Sequence, residues 1–476
     1  MAEDNKKSRL KLVTKISYDI IKKVSGFRKN LFIEMDNKRC SHIWNEASLK
    51  DVKKVAIINS ASRSGSSLLF ALIKQIQGIY SLSGESVPFY KLNGCFSDLY
   101  PSEIHSLEMV NEVCRDENLS RDFLNDFSVS EDQNEIMHNQ DLLAQYIDDL
   151  VLRFSIQWPE IEFSYPLLKK LTMRAFVSYA SHRQTFCKEV FYLDLFRFLR
   201  KEYPGINPYY YDIPHQLIKH EFPEIVPLNA PPGNILTIEE PPFILLSPNR
   251  KVTKDDLTRK HLLLKSTVDC YKMSLIERLF PNAEIKIIYL MRNPAASING
   301  LYDGWLHRGF FSHNLENFFK ENYSNGNNLK ISGYSDQLQC GKWWWKFDLP
   351  PGWQDYIAAP LEQVCAFQWY TANRTIRRYL ENSAKKYCNV KHENIVGGIK
   401  SRIIEMRKII DFLGIVSPGI DNLICKQLPV IQATKSPKPF RWQSKKDTIL
   451  PLLGNGKFKE MSDELGYHQK KMEEWL

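Results

Sequence analysis

Between Ser60 and Ser67 the chain reads SASRSGSS, one arginine and one glycine among serines. Residues of these types, so closely set, suit an anion. Arg63 offers a forked cation that matches phosphate or sulfate oxygens, Gly65 lets a backbone come close, and Ser64, Ser66 and Ser67 add hydroxyl donors. The flanks say how they are held. VAIIN (Val55 to Asn59) is a short apolar run of the kind that forms a buried parallel strand. Leu68, Leu69, Leu72, Ile73 and Ile76 then recur at helical spacing, which predicts a helix ending at Gly78. A strand that turns sharply into a helix leaves the first N–H groups of that helix unpaired, at the positive end of its dipole. A serine-rich helix cap with an exposed arginine would use the same residues. A nucleotide-hydrolysing loop of the GxxxxGK[ST] type would need a lysine that this stretch lacks.

A second basic turn lies in FPNAEIKIIYLMRNPAASINGLYDGW. The run IKIIYLM (Ile285 to Met291) reads as a strand, Arg292 follows it directly, and Asn293 and Pro294 stand where a helix begins. Two cations are thereby expected at the carboxyl edge of one sheet. HLLLK (His261 to Lys265) reads as a further strand, separated from Ile285 by a helical DCYKMSLIERLF that Pro281 and Asn282 stop. Later come a helix around Glu362 to Lys386, a short strand near Asn389 to His392 and a helix over Ile399 to Leu413 closed by Gly414. Strand and helix in turn imply a parallel α/β sheet.

The 476 residues carry a formal charge of +9, with ordinary apolar and charged fractions of 43% and 25%. The excess suits an anionic ligand and is also within ordinary surface composition. Acidic residues dominate from Glu103 to Asp149, between basic flanks, which suggests an inserted subregion. Pro227 to Pro232 and Pro241 to Pro248 are the expected linkers. Nine cysteines with no CxxC pair fit a reduced chain rather than a disulfide framework or a zinc site. The N-terminal stretch Lys6 to Lys29 is basic and amphipathic but too interrupted by charge for a signal segment or a membrane span. It would serve as a solvated arm or touch a membrane surface. Cytosolic residence is the expectation, with no transmembrane segment and no nucleic-acid partner. No repeat or low-complexity tract is visible.

Taken together, the pair of turns resembles the 5'-phosphosulfate loop and the 3'-phosphate element of sulfotransferases that use 3'-phosphoadenosine 5'-phosphosulfate, with SRSGSSLL and LMRNPAAS closest to the tyrosyl-protein, carbohydrate-type and bacterial branches. NVKHENIVGGIKSRIIEMRKIIDFLGI is similar to the family's strand–acid–helix segment, and FRWQSKKD followed by ELGY to its C-terminal basic loop and closing helix. The resemblance covers Val52 to Phe89 and Leu262 to Gly466 in pieces. It implies a P-loop-like three-layer α/β sandwich around a central parallel sheet, over residues 51–476, behind a basic arm of residues 1–50. A mostly helical insertion, residues 90–260, would form the acceptor side.

The resemblance also implies roles. Arg63 with Ser64, Gly65, Ser66 and Ser67 would cradle the 5'-phosphosulfate. Lys265 would neutralise charge on the leaving bridge oxygen, and KSTV lacks the proline the family places there; a strand-end lysine reaching solvent is the plain alternative. Glu85 in SLSGESVPFY would be the general base, against an exposed acid in a Gly84–Glu85 turn. Arg292 would hold the 3'-phosphate. The family's serine eight residues after Arg292 is here Gly300, and Ser297, on about the same helical face, would substitute. Lys445 and Lys446 would close over that phosphate or form a solvated charge cluster. No metal is expected, since sulfuryl transfer rests on positioning and charge stabilisation. The acceptor would be a hydroxyl or amine of a small molecule or glycan. The tryptophans of KWWWKFDLPPGW would stack on it or pack the interior. A nucleotide kinase and a non-catalytic nucleotide-binding scaffold are the competing readings.

Overall fold

The computed structural model describes residues 46–93, 117–228, 230–233, 237–307, 309–310, 312–322, 328–416, 424–454 and 456–475. The basic arm and much of the acidic stretch after Glu103 lie outside them. Five strands build the parallel heart of the fold, and each owes its form to a run of apolar, often β-branched residues buried on both faces. They are β1 (Lys54–Asn59), β2 (Ile79–Ser81), β5 (His261–Lys265), β6 (Glu284–Met291) and β9 (Lys386–Lys391). Two short strands, β3 (Ser128–Val129) and β4 (Arg250–Lys251), extend one edge, giving the order β4-β3-β2-β5-β1-β6-β9. The pairs β2/β5, β5/β1, β1/β6 and β6/β9 are parallel, while β2/β3 and β3/β4 are antiparallel. The remaining strands, β7 (Ser312–Asn314) and β8 (Trp344–Lys346), form a separate antiparallel ribbon.

Alternation along β1 sorts the interior into layers. Val55 and Ile57 enter one apolar cluster and Ala56 and Ile58 the other. Helices α1 (Ser66–Ile73) and α4 (Ile399–Leu413) belong to the second side, and helices α2 (Pro294–Trp305) and α3 (Leu361–Asn382) to the first. The result is the expected three-layer sandwich. Each of these fully buried aliphatics contributes about 1.5–3 kcal/mol through burial, so truncating Ile57 to alanine costs about 2–5 kcal/mol.

Where the elements differ from the sequence reading, the reasons are local. Helix α1 stops at Ile73 rather than at Gly78, which takes φ +96 and opens β2. Strands β2, β3 and β4 are too short to show a period. The stretch DCYKMSLIERLF divides into a 3-10 turn, Asp269–Tyr271, and a helix, Met273–Leu279. Residues 117–259 hold six α-helices, among them Gln140–Gln157, Tyr165–His182 and Lys188–Glu202. Pro241 and Pro242 stand in a cavity wall rather than in a linker. Trp345 and Trp353 are fully buried and meet at 5.7 Å between ring centroids, so that part of the tryptophan run packs the interior. Among the described residues no helix is long and apolar enough to cross a membrane.

Candidate functional site

Every parallel strand delivers a polar residue to one edge. Read in spatial order, β2 is followed by Glu85, β5 ends at Lys265, β1 is followed by Arg63, β6 by Arg292 and β9 by His392. All five line one cavity of about 640 Å³, a size that takes a small organic ligand. The register sets them at similar depth, since Ile58 pairs with Lys265 and Asn59 with Tyr289. The chain leaves β1 toward β2 on one side and reaches β6 on the other, so the cavity sits where an open α/β sheet places its ligands.

The loop after β1 is shaped for close approach. Arg63 and Gly65 both take left-handed conformations, φ 65 and φ 92. A Cβ at Gly65 would collide with Nδ1 of His392, so only glycine fits. Gly65 itself occupies the N-cap position, and no side chain caps the helix. The serines therefore do not act as a helix cap, and the N–H groups of Gly65 through Leu68 find no acceptor among the described residues. Ser67 Oγ donates to Gln432 Oε1 at 2.7 Å and accepts from Lys265 Nζ at 2.9 Å.

Arg63 and Arg292 meet in this cavity. Nη1 of Arg292 donates to the Arg63 carbonyl at 3.0 Å, and among the described residues neither guanidinium has a carboxylate partner. Burial and then the neighbouring Arg292 and Arg441 push Arg63 down to about 10, and burial also lowers Arg292. The Nε of each is buried and unpartnered. Phe310 steadies Arg63, whose guanidinium lies 4.5 Å from the ring centroid. His392, buried beside Arg292, is held neutral, its pKa well below the usual range. At the start of α2, Asn293 caps the helix by accepting from Ala296 N–H at 2.7 Å. Its own N–H and Nδ2 donate to Glu393 Oε1, while Tyr467 donates to Oε2 of the same carboxylate at 2.8 Å.

Other expected residues fall differently. Lys265 and Glu85 form an ion pair at the cavity wall. Ser66 lines the cavity, whereas Ser64 is buried and outside its lining. Ser297 is fully buried, its hydroxyl without a partner, and also lies outside the lining. Gly300 does line it. A Cβ there would come within 3.2 Å of Arg63 Cβ, so a larger residue at this position would press on Arg63. Lys445 turns to Asn299 and Asp303, at 3.4 and 3.5 Å, and Lys446 is exposed. From the same FRWQSKKD stretch it is Arg441 that lines the cavity.

Two groups of residues escaped the sequence reading. A strap, residues 428–442, crosses the cavity mouth and brings Gln432, Lys435, Lys438 and Arg441 to it. The Gln432 carbonyl accepts from Arg63 Nη1 at 3.0 Å. Asp303 on α2 gathers the strap by pairing with Lys435 at 3.1 Å and Arg441 at 2.5 Å. The second group comes from the inserted region: Arg153, Glu239 and Glu240. Arg153 bridges Glu239 and Asp126 at 3.0 and 3.1 Å, and Glu240 pairs with Lys91. Below Glu85, buried Asp269 accepts from Ser86 Oγ at 2.9 Å and is pushed up to about 7, chiefly by burial.

No protein-family model matches the chain, and no curated protein matches it. Among solved structures, the chain is similar to the "Sulfotransferase Domain from the Curacin Biosynthetic Pathway" at 12% identity and TM-score 0.33, over 88% of this chain and 99% of that one. A second, the "Sulfotransferase Domain from the Synechococcus PCC 7002 Olefin Synthase", is 14% identical at TM-score 0.31, over 88% and 96%. At this distance neither match bears on the donor or the acceptor.

Proposed function

We propose that the chain transfers a sulfuryl group from 3'-phosphoadenosine 5'-phosphosulfate to a hydroxyl or amine of a small-molecule or glycan acceptor. The observation that carries this reading is a buried pair of guanidiniums, Arg63 and Arg292, unneutralised by carboxylate, beside a run of unpaired helix N–H groups in one cavity. Two anionic groups on one ligand would satisfy both corners. The cavity volume and the orphaned Nε atoms fit such a ligand.

In this reading Arg63 and the N–H groups of Gly65, Ser66 and Ser67 hold the 5'-phosphosulfate, and Arg292 with Arg441 holds the 3'-phosphate. Glu85 takes the acceptor proton as the new S–O bond forms. Lys265, paired with Glu85 and Ser67, stabilises the negative charge left on the bridging oxygen when the old S–O bond breaks, and 3',5'-adenosine bisphosphate departs. Residues 51–476 act as one domain, with the insertion 90–260 supplying the acceptor side, and the reading carries the cytosolic residence expected from the cysteines.

The test is a calorimetric titration with 3',5'-adenosine bisphosphate in the presence of a chelator, a second with ATP and magnesium, and a labelled-sulfate transfer screen over alcohols, phenols, sugars and amines. Tight binding of the bisphosphate alone, with transfer to at least one acceptor, is expected. Preference for ATP would hand the site to a kinase, and binding without transfer to any acceptor would leave a scaffold.

A further inference from the structure

The end of the cavity farthest along the strand order from Arg292 has its own chemistry. Its walls are apolar, with Val87, Pro88 and Ile244, and Phe310, stacked on Phe347, stands between this end and the Arg63 guanidinium that lies over its ring. Among these stand two carboxylates, each with one oxygen engaged and one free. Glu85 Oε1 is taken by Lys265 and Glu240 Oε1 by Lys91, while the Oε2 of each has no hydrogen-bond partner among the described residues. The Glu240 side chain is only 8% exposed and lines the cavity, so what access its carboxylate has is largely to the cavity. A buried carboxylate oxygen without a donor is costly, and a ligand that brings one is favoured. Glu240 is already pushed up to about 7, first by burial, against the pull of Lys91 and with a further push from Glu85.

The cations at this end are all spent. Lys265 belongs to Glu85, Lys91 to Glu240, and Arg153 to Glu239 and Asp126. Above pH 7, where Glu240 is ionised, an anionic group held against Glu85 and Glu240 would meet two carboxylates whose lysine partners are already engaged, a repulsive element of the kind that sets specificity.

Resting on the sulfuryl-transfer reading, we propose that the acceptor has an apolar body, carries a second hydrogen-bond donor besides the reacting hydroxyl or amine, and bears no anionic group. Glu85 faces the reacting donor and Glu240 Oε2 receives the second. Glu240 is thus a specificity-determining residue that selects diols and amino alcohols over hydroxy acids.

Two matched sets test this on the full chain above the Glu240 pKa of about 7, at about pH 8.5, each titrated with and without saturating 3',5'-adenosine bisphosphate. One holds 4-(2-hydroxyethyl)phenol, 4-ethylphenol and 4-hydroxyphenylacetate; the other holds 1,8-octanediol, 1-octanol and 8-hydroxyoctanoate. In each set the diol binds at least about tenfold more tightly than the hydroxy acid, the scale of a buried like-charge clash. Glu240→Gln narrows that ratio at least fivefold, roughly, by admitting the hydroxy acid, and Glu240→Asp, which keeps the charge, preserves it. Unchanged bisphosphate affinity marks both variants as folded. Hydroxy acids binding as well as diols, a ratio indifferent to Glu240→Gln, or no binding by any member overturns the proposal. Should the diol preference hold while the bisphosphate fails to bind, the acceptor-side assignment stands and the sulfuryl-donor reading falls.

Discussion

The two halves of the cavity treat charge in opposite ways. At the β1/β6 half, Arg63 and Arg292 lie buried with no carboxylate partner among the described residues, and burial first lowers both, with Arg292 and Arg441 acting further on Arg63 and Arg441 on Arg292. At the β2 half every cation is matched, with Arg153 alone serving two acids. Burying an unpaired charge is expensive and burying a pair less so. The first half is therefore incomplete without an anion, whereas the second is complete electrostatically and lacks only donors. The contrast assigns the halves to different ligands before any ligand is named.

The comparison breaks most sharply at Glu85. Glu85→Gln should lower transfer by about 10²–10⁴-fold, the usual worth of a general base, while leaving 3',5'-adenosine bisphosphate affinity unchanged; steady-state transfer with parallel calorimetry reads both, and retained turnover removes Glu85 as the base. Next comes Arg292→Ala, which should cost about 2 kcal/mol of bisphosphate affinity through loss of a charge-assisted contact. Wild-type affinity in that variant would erase the difference between the halves. Gly300→Ser should weaken the nucleotide several-fold, because the new Cβ presses on Arg63; tighter binding would show that Arg63 yields freely.

The smallest effect concerns pH. Asp269 has a folded pKa near 7 against an ordinary 3.8, so between about pH 4 and 7 the folded state holds a proton the unfolded state has released. Its contribution to stability is full below pH 4 and is lost as pH rises through 7. The stability of the native chain relative to Asp269→Asn, followed by denaturant melts, should fall across that window. A constant difference would mean that Asp269 ionises normally.

What the sequence discloses follows the sheet edge. Arg63, Arg292 and Lys265 each sit just beyond or at the end of a strand that an apolar run announces, whereas Glu85 follows the three-residue β2, which shows no period, and is reached only through the resemblance. Glu393 and Tyr467 link the distant motifs to this edge, since Glu393 holds Asn293 at the start of α2 and Tyr467 holds Glu393. In FRWQSKKD the sequence offers three cations and no period to choose among them; pairing with Asp303, more than a hundred residues earlier, sets Arg441 at the cavity, and Gln432 is likewise placed by the distant Asp212. Glu240 was hidden for a similar reason, its partner Lys91 lying across the insertion. Ser297 misled because helical spacing fixes a face only approximately; the face it shares turns inward one turn before Gly300.

Gln432 already occupies the donors that an oxyanion would use, its carbonyl on Arg63 and its amide oxygen on Ser67, while Asp212 holds its N–H at 3.2 Å. At those two donors loading by an anion would be an exchange, a tethered neutral oxygen giving way to a charged one, while the helix N–H groups and the buried Nε atoms of Arg63 and Arg292 would gain the acceptor they lack among the described residues.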